Sequence, residues 1–288
     1  MQKIKITKQL IQNLIPKRPS QSHKYTFGKL LIWSGSLNYW GAPQLVTKGA
    51  YRSGVGLVRL ACPEQIIPTI AATVPEATFL PISIAQNGAF LPNTVITLLR
   101  EIQEANIKAI VVGPGLGQSN FLCRLLTELL QKITIPVVLD GDAISGLAQI
   151  TNYKELLQRD SVKILTPHTG EFSRLINIDS EVIVKRRLEL AQEFAAENKC
   201  ILVLKGPKTL VTDGKKVFEN TVGSVNLATA GTGDILAGLI GGLLAQEIKP
   251  LDAANIGVYL HGAAGDLWLK KSADRGMFAQ ELCEHIPT

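Results

Sequence analysis

The residues best suited to chemistry stand together at Gly231-Thr232-Gly233-Asp234, directly ahead of the apolar helical run Ile235–Gln246. Glycines there let the backbone turn and approach an anion with no side chain in the way. The unpaired N–H groups of the first helical turn then point at that anion, and the helix dipole favours its charge. The pattern is a phosphate cradle without a lysine, because the chain has neither GxxxxGK[ST] nor GxGxxG. Asp234 admits two readings. As an N-terminal capping carboxylate it stabilises the helix by ~0.5–2 kcal/mol. As a general base it takes the proton from a hydroxyl that attacks a phosphoryl group.

Other candidates follow apolar runs that read as strands. Ser34-Gly35-Ser36 and Gly41-Ala42-Pro43 follow Trp33, Gly113-Pro114-Gly115-Leu116-Gly117 follows Val112, and Asp140-Gly141-Asp142 follows Leu139. Thr166-Pro167-His168-Thr169-Gly170-Glu171 follows Leu165, and Lys205-Gly206 follows Leu204. In an open parallel sheet, ligands bind beyond the carboxyl ends of the strands, so these stretches predict one continuous cleft. His168 reads as a structural hydrogen-bonding residue or a ligand contact. Glu171 reads as a first-turn helix carboxylate or a group that orders Mg²⁺ through water, since Mg²⁺ keeps much of its hydration shell. Asp140 and Asp142 read as structural residues capping the next helix in preference to metal-associated groups. Lys205 either pairs with a nucleotide phosphate or simply ends a strand. Trp33, Tyr39 and Trp40 are expected in core packing or a contact between subunits in preference to a place beside the dinucleotide. His23 and His285 carry no functional expectation, and His261, inside the apolar run Tyr259-Leu260-His261-Gly262-Ala263, is expected to be a satisfied core histidine.

Taken together, these motifs resemble a known family. Gly231-Thr232-Gly233-Asp234 is similar to the anion hole and base of the ribokinase-like fold. Ser22-His23-Lys24, Gly28-Lys29, Gly41-Ala42-Pro43, Arg52-Ser53-Gly54, Gly56-Leu57-Val58, Pro75-Glu76-Ala77, Gly113 to Gly117, Leu139-Asp140, Leu165 to His168, Gly170-Glu171-Phe172 and Lys205-Gly206 with Thr209 occur in the order seen in the nucleotide-dependent NAD(P)H-hydrate dehydratases. The resemblance spans about residues 22–285. It implies a carbon–oxygen lyase that phosphorylates the C6 hydroxyl of the S epimer of hydrated NADH or NADPH and then eliminates phosphate. ADP, or less favourably ATP, would be the co-substrate, with Mg²⁺. Carried over position by position, Ala42, Gly115, His168 and Asp234 would line the hydrated dinucleotide. Lys205, Gly206, Pro207, Lys208, Thr209 and Gly233 would hold the nucleotide, Asp234 would be the base, and the amides of Gly231, Thr232 and Gly233 would stabilise the transferring phosphoryl. The resemblance further implies a separate epimerase as functional partner and a homotetramer.

Two other readings compete. A ribokinase-like kinase of a small alcohol, such as a vitamin precursor or sugar, would share Asp234 and the anion hole. Against it stand Gly41-Ala42-Pro43 and His168, where the sugar kinases usually have asparagine. A non-catalytic nucleotide sensor would need the cradle but not the carboxylate. The chain also departs from the family pattern. Ser34-Gly35-Ser36 stands where two glycines usually precede the serine, and Gly223 to Ala230 lacks the usual Gly-Asn and further glycines.

The elements that must position these residues are legible in the hydrophobic pattern. Lys29–Trp33, Leu57–Cys62, Ala109–Val112, Val137–Leu139, Val162–Leu165 and Cys200–Leu204 read as strands, several of them apolar on both faces as buried parallel strands are. Gln44–Ser53, Ser119–Lys132 and Ser180–Asn198 read as helices between them. Thr209–Thr212 and Lys216–Phe218 flank Asp213-Gly214, a hairpin signal, and Gly231–Gln246 and Leu251–Lys271 read as two long helices. The pattern predicts an α/β fold with a mostly parallel central sheet, helices on both faces and a small antiparallel addition, which the resemblance implies is ribokinase-like. One domain over 1–288 is expected, with 1–27 as a loosely attached leader. Hydrophobic residues at 46% against 19% charged supply a large core and exclude wholesale disorder. The net charge of +6 is spread out, and its densest run, Lys185-Arg186-Arg187, reads as a solvated helix face, so no nucleic-acid partner is expected. Four scattered cysteines form no CxxC pair, which excludes a zinc ribbon and disfavours a disulfide scaffold. No signal peptide or spanning segment is read, so a cytoplasmic protein is expected.

Overall fold

Strands with apolar residues on both sides need cover on both sides. In β2 (Lys29–Trp33), Leu30 and Ile32 point to one face and Leu31 and Trp33 to the other, and all four are fully buried. The computed structural model describes residues 3–287, and its helices supply the cover. Gly41–Arg52, Thr232–Ala245 and Pro250–Lys271 pack one face of the sheet; Asn120–Lys132, Thr169–Ile176 and Arg187–Asn198 pack the other. Each fully buried aliphatic side chain in these two layers contributes about 1.5–3 kcal/mol.

The remaining strands are β1 (Ile4–Ile6), β3 (Leu57–Pro63), β4 (Thr78–Ile82), β5 (Ala109–Val112), β6 (Val137–Leu139), β7 (Lys163–Leu165), β8 (Ile201–Leu204), β9 (Leu210–Thr212) and β10 (Val217–Asn220). They form one ten-stranded sheet in the order β1-β10-β9-β8-β7-β6-β5-β2-β3-β4. Every pairing from β8 through β4 is parallel, with Trp33 opposite Val112 and Val112 opposite Leu139. The antiparallel addition is β9, paired with both β8 and β10 around the Asp213-Gly214 turn. Asp213 Oδ1 accepts from the amides of Lys215 and Lys216 at 2.9 and 2.8 Å, which closes that turn. The expected strands and the hairpin stand within two residues of their expected limits.

Three expectations fail for physical reasons. Residues 1–27 do not hang loosely where they are described: β1 adds in parallel to β10, the helix Lys8–Leu14 follows, and Ile6 and Ile11 are buried in the core. Unpaired strand edges are sticky, and β1 covers that of β10. Residues 1, 2 and 288 of the expected unit lie outside the described residues. The strand β4 is not among those expected; it contains Pro81, and as the last strand of the sheet it tolerates a missing donor. The single helix expected over Ser180–Asn198 is two, Ser180–Lys185 and Arg187–Asn198, interrupted where Arg186 leaves helical geometry at φ −118° and ψ 26°.

Candidate active site

The five loops named above leave the carboxyl ends of β2, β5, β6, β7 and β8, which are adjacent and parallel in the sheet. The cleft expected along one edge therefore exists. Its β6–β7–β8 half opens into a cavity of about 780 Å³ lined by Asp140, His168, Glu171, Lys205 to Thr209, Gly231 to Asp234 and the segment Val222–Val225. The expected nucleotide residues thus share one cavity with His168, Glu171 and Asp234. Ala42 and Gly115 do not line it. They meet on the β2–β5 half, where a Cβ added to Gly115 would lie 2.8 Å from the Ala42 Cβ and 2.7 Å from that of Tyr39. The two halves are tied together where the Gly117 amide donates to Asp142 Oδ2 at 2.8 Å, and within the β2–β5 half the Gly35 amide donates to the Pro114 carbonyl at 3.0 Å.

Electrostatics centre on Lys205. Its Nζ donates to Asp140 Oδ1 at 2.8 Å and stands 3.9 Å from Glu171 Oε2. Burial works against its charge, but Asp140 and Glu171 outweigh that and hold its pKa above the ordinary lysine value. Asp140 Oδ1 also accepts from the Thr166 hydroxyl at 2.6 Å, so Asp140 is a wall of the cavity and an anchor for Lys205 rather than a helix cap. Burial and Asp140 raise the Glu171 pKa, against the pull of Lys205.

Asp234 sits in the first turn of Thr232–Ala245, just past Gly231, whose φ of +90° is a conformation that glycine adopts freely. Burial pushes its carboxyl up to about 7, with Asp140 adding to the rise and Lys205 opposing it. A carboxylate tuned to neutrality beside a helix N-terminus is the arrangement a general base requires. His168 caps the helix Thr169–Ile176: its Nδ1 accepts from the amides of Gly170 and Glu171 at 3.0 and 3.2 Å, while Glu171 Oε2 accepts from the His168 amide at 2.8 Å. With Nδ1 committed as acceptor, the proton of the neutral ring is on Nε2. Burial, Lys205 and Arg174 all lower its pKa, so the ring is a neutral donor near pH 7.

The donor set also bears on Mg²⁺. Among the described residues no three His, Cys, Asp or Glu side chains gather closely enough to enclose an ion. Asp140 and Glu171 nonetheless stand 2.8 and 3.9 Å from a single ammonium, and Asp234 adds to their field from farther away. Carboxylates in this number fit a hydrated divalent cation.

Comparison with known proteins agrees with this geometry. Residues 30–288 match the family described as Carb_kinase, NAD(P)H-hydrate dehydratase. The chain belongs to the NAD(P)H-hydrate dehydratase family. It is 35% identical over 283 residues to the ADP-dependent (S)-NAD(P)H-hydrate dehydratase of Bacillus subtilis, covering 98% of this chain and 95% of that protein. The structure of the Bacillus subtilis ADP/ATP-dependent dehydratase, co-crystallised with ATP and Mg²⁺, superposes with a TM-score of 0.87 at 33% identity, over 100% of this chain and 97% of that one. A ribokinase-like superfamily protein from Enterococcus faecalis superposes at 0.82 with 28% identity, over 99% and 94% of the two chains, so the fold is the ribokinase-like one expected. The bifunctional NAD(P)H-hydrate repair enzyme of Moorella thermoacetica is 36% identical over 95% of this chain but only 51% of its own length. The chain thus spans about half the length of the bifunctional relatives it matches.

Within this family fold, several supporting residues escaped sequence reasoning. Arg187 is not a solvated helix residue: its guanidinium donates to the carbonyls of Pro207, Leu204 and Lys205 at 2.7, 3.0 and 3.2 Å. The only available signal was a third consecutive cation where the helix breaks. His261 is hydrogen-bonded, as expected, but it also lines the cavity. Trp33 is core, packed edge-on to Phe90 at 5.3 Å, whereas Tyr39 and Trp40 are about half exposed. The four cysteines are free thiols. No described helix is long and apolar enough to cross a membrane.

Proposed function

We propose that this chain dehydrates the S epimer of hydrated NADH or NADPH at the expense of ADP or, less favourably, ATP. The observation that carries the reading is a buried carboxylate, Asp234, tuned to about 7 and held in the first turn of a helix, beside Gly231–Gly233, in a cavity that also presents Lys205 and His168. The nucleotide phosphates would lie against the amides of Gly231 and Gly233 and beside Lys205, with Lys205 to Thr209 along the nucleotide; the Thr232 amide, 3.3 Å from the Thr229 carbonyl, would have to turn from that partner to join them. The hydrated nicotinamide would reach Asp234 from the Ala42–Gly115 half of the cleft, with the Nε2–H of His168 as a donor at the junction. Where Gly115 meets Ala42 and Tyr39, a larger residue would close that approach.

In the first step Asp234 takes the proton of the C6 hydroxyl. The oxygen forms a bond to the terminal phosphorus, and the bond from phosphorus to the bridging oxygen breaks toward the departing nucleotide. The main-chain amides stabilise the charge that develops; removing one such donor typically costs ~10²–10³ in rate. In the second step the C6–O bond breaks and its electron pair leaves with phosphate. The ring nitrogen supplies electrons, and loss of a proton from the adjacent ring carbon restores the double bond. Hydroxide leaves poorly and phosphate well, which is why the phosphoryl group is spent. When bound, Mg²⁺ would neutralise phosphate charge, with Glu171 oriented to hold its water shell. The same reading calls for an epimerase to supply the S form, a homotetrameric assembly and a cytoplasmic setting, where the reduced cofactors are used.

The test is to incubate the purified protein with hydrated NADH and, in parallel, ADP or ATP. Recovery of the reduced-nicotinamide absorbance is the expected result, faster with ADP. No recovery together with phosphorylation of an added small alcohol would assign the site to a kinase instead.

A further inference from the structure

The turn that carries the proposed phosphoryl cradle has little of its own to hold it. Gly231 and Gly233 have no side chains to anchor it, and the turn's main-chain bonds are long, from the Thr232 amide to the Thr229 carbonyl at 3.3 Å and from the Ile235 amide to the Gly231 carbonyl at 3.4 Å. The Thr232 hydroxyl lies 2.8 Å from the Leu227 carbonyl and 2.9 Å from that of Thr229, which fastens the turn to the preceding segment. The remaining tie comes from another element. His261, on the helix Pro250–Lys271, places its Nε2 2.9 Å from the Thr232 carbonyl oxygen. A carbonyl can only accept, so Nε2 carries the hydrogen and the ring is the donor. Burial keeps the ring uncharged at neutral pH, pushing its pKa down to about 4.

The helix around His261 is shaped for the same task. Asp266 Oδ2 accepts from the Gly223 amide at 3.0 Å, and the Gly265 carbonyl accepts from Asn226 Nδ2 at 2.9 Å. The Asn220 side chain donates to the Val258 carbonyl at 3.3 Å. A Cβ at position 262 would lie 2.6 Å from the Val222 carbonyl oxygen, so the segment is pressed onto the helix with no slack. The face formed by Val258, His261, Gly262, Gly265 and Asp266 therefore holds the whole stretch from Asn220 to Thr232, and His261 is its contact with the catalytic turn.

We propose that His261 is a positioning residue: through the Thr232 carbonyl it fixes the aim of the Gly231–Gly233 amides and of the Asp234 carboxylate. The inference deepens the functional reading above and rests on it. A misplacement of about 1 Å at a reacting centre can cost ~10²-fold in rate, so the loss of this bond appears in kcat before it appears in folding.

Two amide variants test it. In His261→Gln the side-chain N–H can reach the Thr232 carbonyl much as Nε2 does; in His261→Asn it is one methylene short. The expected result is a kcat within about threefold of wild type for Gln and ~10–10²-fold lower for Asn, with adenosine affinity unchanged in both. Equal kcat in the two variants, whether both retained or both lost, overturns the proposal. Calorimetric titration with ADP and with adenosine supplies a readout independent of turnover. The Asn variant should lose ADP affinity selectively, because only ADP uses the cradle; equal losses for ADP and adenosine would mean a merely structural role. If the wild-type chain restores no reduced cofactor, the dehydratase reading fails, and the ADP-to-adenosine affinity ratio still decides the role of His261.

Discussion

At the scale of single residues, Asp234 and His168 make opposite uses of burial. Asp234 must lose its proton to act, and its pKa is pushed up to about 7. In the free enzyme kcat/KM should therefore rise about tenfold per pH unit below 7 and level off above it, and a profile flat from pH 5 to 8 would remove Asp234 from the mechanism. Asp234→Asn should lower turnover by ~10²–10⁴ while sparing ADP affinity, as rate and calorimetry will show. The sign for stability is the reverse. A carboxyl whose folded pKa exceeds its unfolded value holds its proton more tightly when folded, so stability falls as pH rises from roughly 4 to 7. Asp234→Asn escapes that loss and should melt at a higher temperature than wild type at pH 8, with the difference fading toward pH 4. His168 must stay neutral, with Nδ1 accepting two amides and Nε2 a donor that now stands 3.5 Å from Glu171 Oε1. Asparagine can accept as a cap but offers nothing at the Nε2 position. His168→Asn should melt within a few degrees of wild type yet raise KM for the hydrated cofactor about 2–10-fold, the worth of one hydrogen bond. An unchanged KM would sever His168 from the substrate.

At the scale of elements, the clearest lesson comes from the break at Arg186. The helical spacing of Val184, Leu188, Ala191 and Phe194 is real, and it reads as one helix because periodicity does not register a single residue leaving helical geometry. The break is where Arg187 turns in to bind three carbonyls of the loop that bears Lys205. Those bonds join positions 17 to 20 residues apart, so no local pattern reveals them. Lysine keeps the charge but not the fork. Arg187→Lys should raise KM for the nucleotide by about tenfold and lower the melting temperature by a few degrees, and unchanged nucleotide kinetics would leave Arg187 with a packing role only. The motif Gly231–Asp234 was legible because a helix start is a local event. That Asp140, Lys205 and Glu171 share a cleft was legible from the strands they follow, but their pairing was not, because it joins three different strand ends. The helix Thr232–Ala245 also shows what its glycines are for. A Cβ at Gly238 would lie 2.0 Å from the Val46 carbonyl oxygen, so this helix touches Gly41–Arg52 backbone to backbone.

At the scale of the whole molecule, the parallel order of the central strands was legible from alternating apolar runs, whereas the sheet's margins were not. Inner strands are buried on both faces and read as near-continuous apolar runs. Margins mix polar residues and proline, as in Lys5 of β1 and Pro81 of β4, and so look like loops. The leader is the margin that matters most, because it was expected to be loose and is not. Ile11 is 2% exposed and belongs to the core layer that includes the helices Thr232–Ala245 and Pro250–Lys271. Truncating such a side chain leaves a cavity and typically costs about 2–5 kcal/mol. For a chain of this size, each 1 kcal/mol lowers the melting temperature by roughly 2–4 °C. Ile11→Ala should therefore lower it by at least ~4 °C, read by thermal unfolding at neutral pH. A leader that merely trailed from the sheet would make the substitution silent, so a melting temperature within 1 °C or so of wild type would show that β1 and its helix are not part of the cooperative fold.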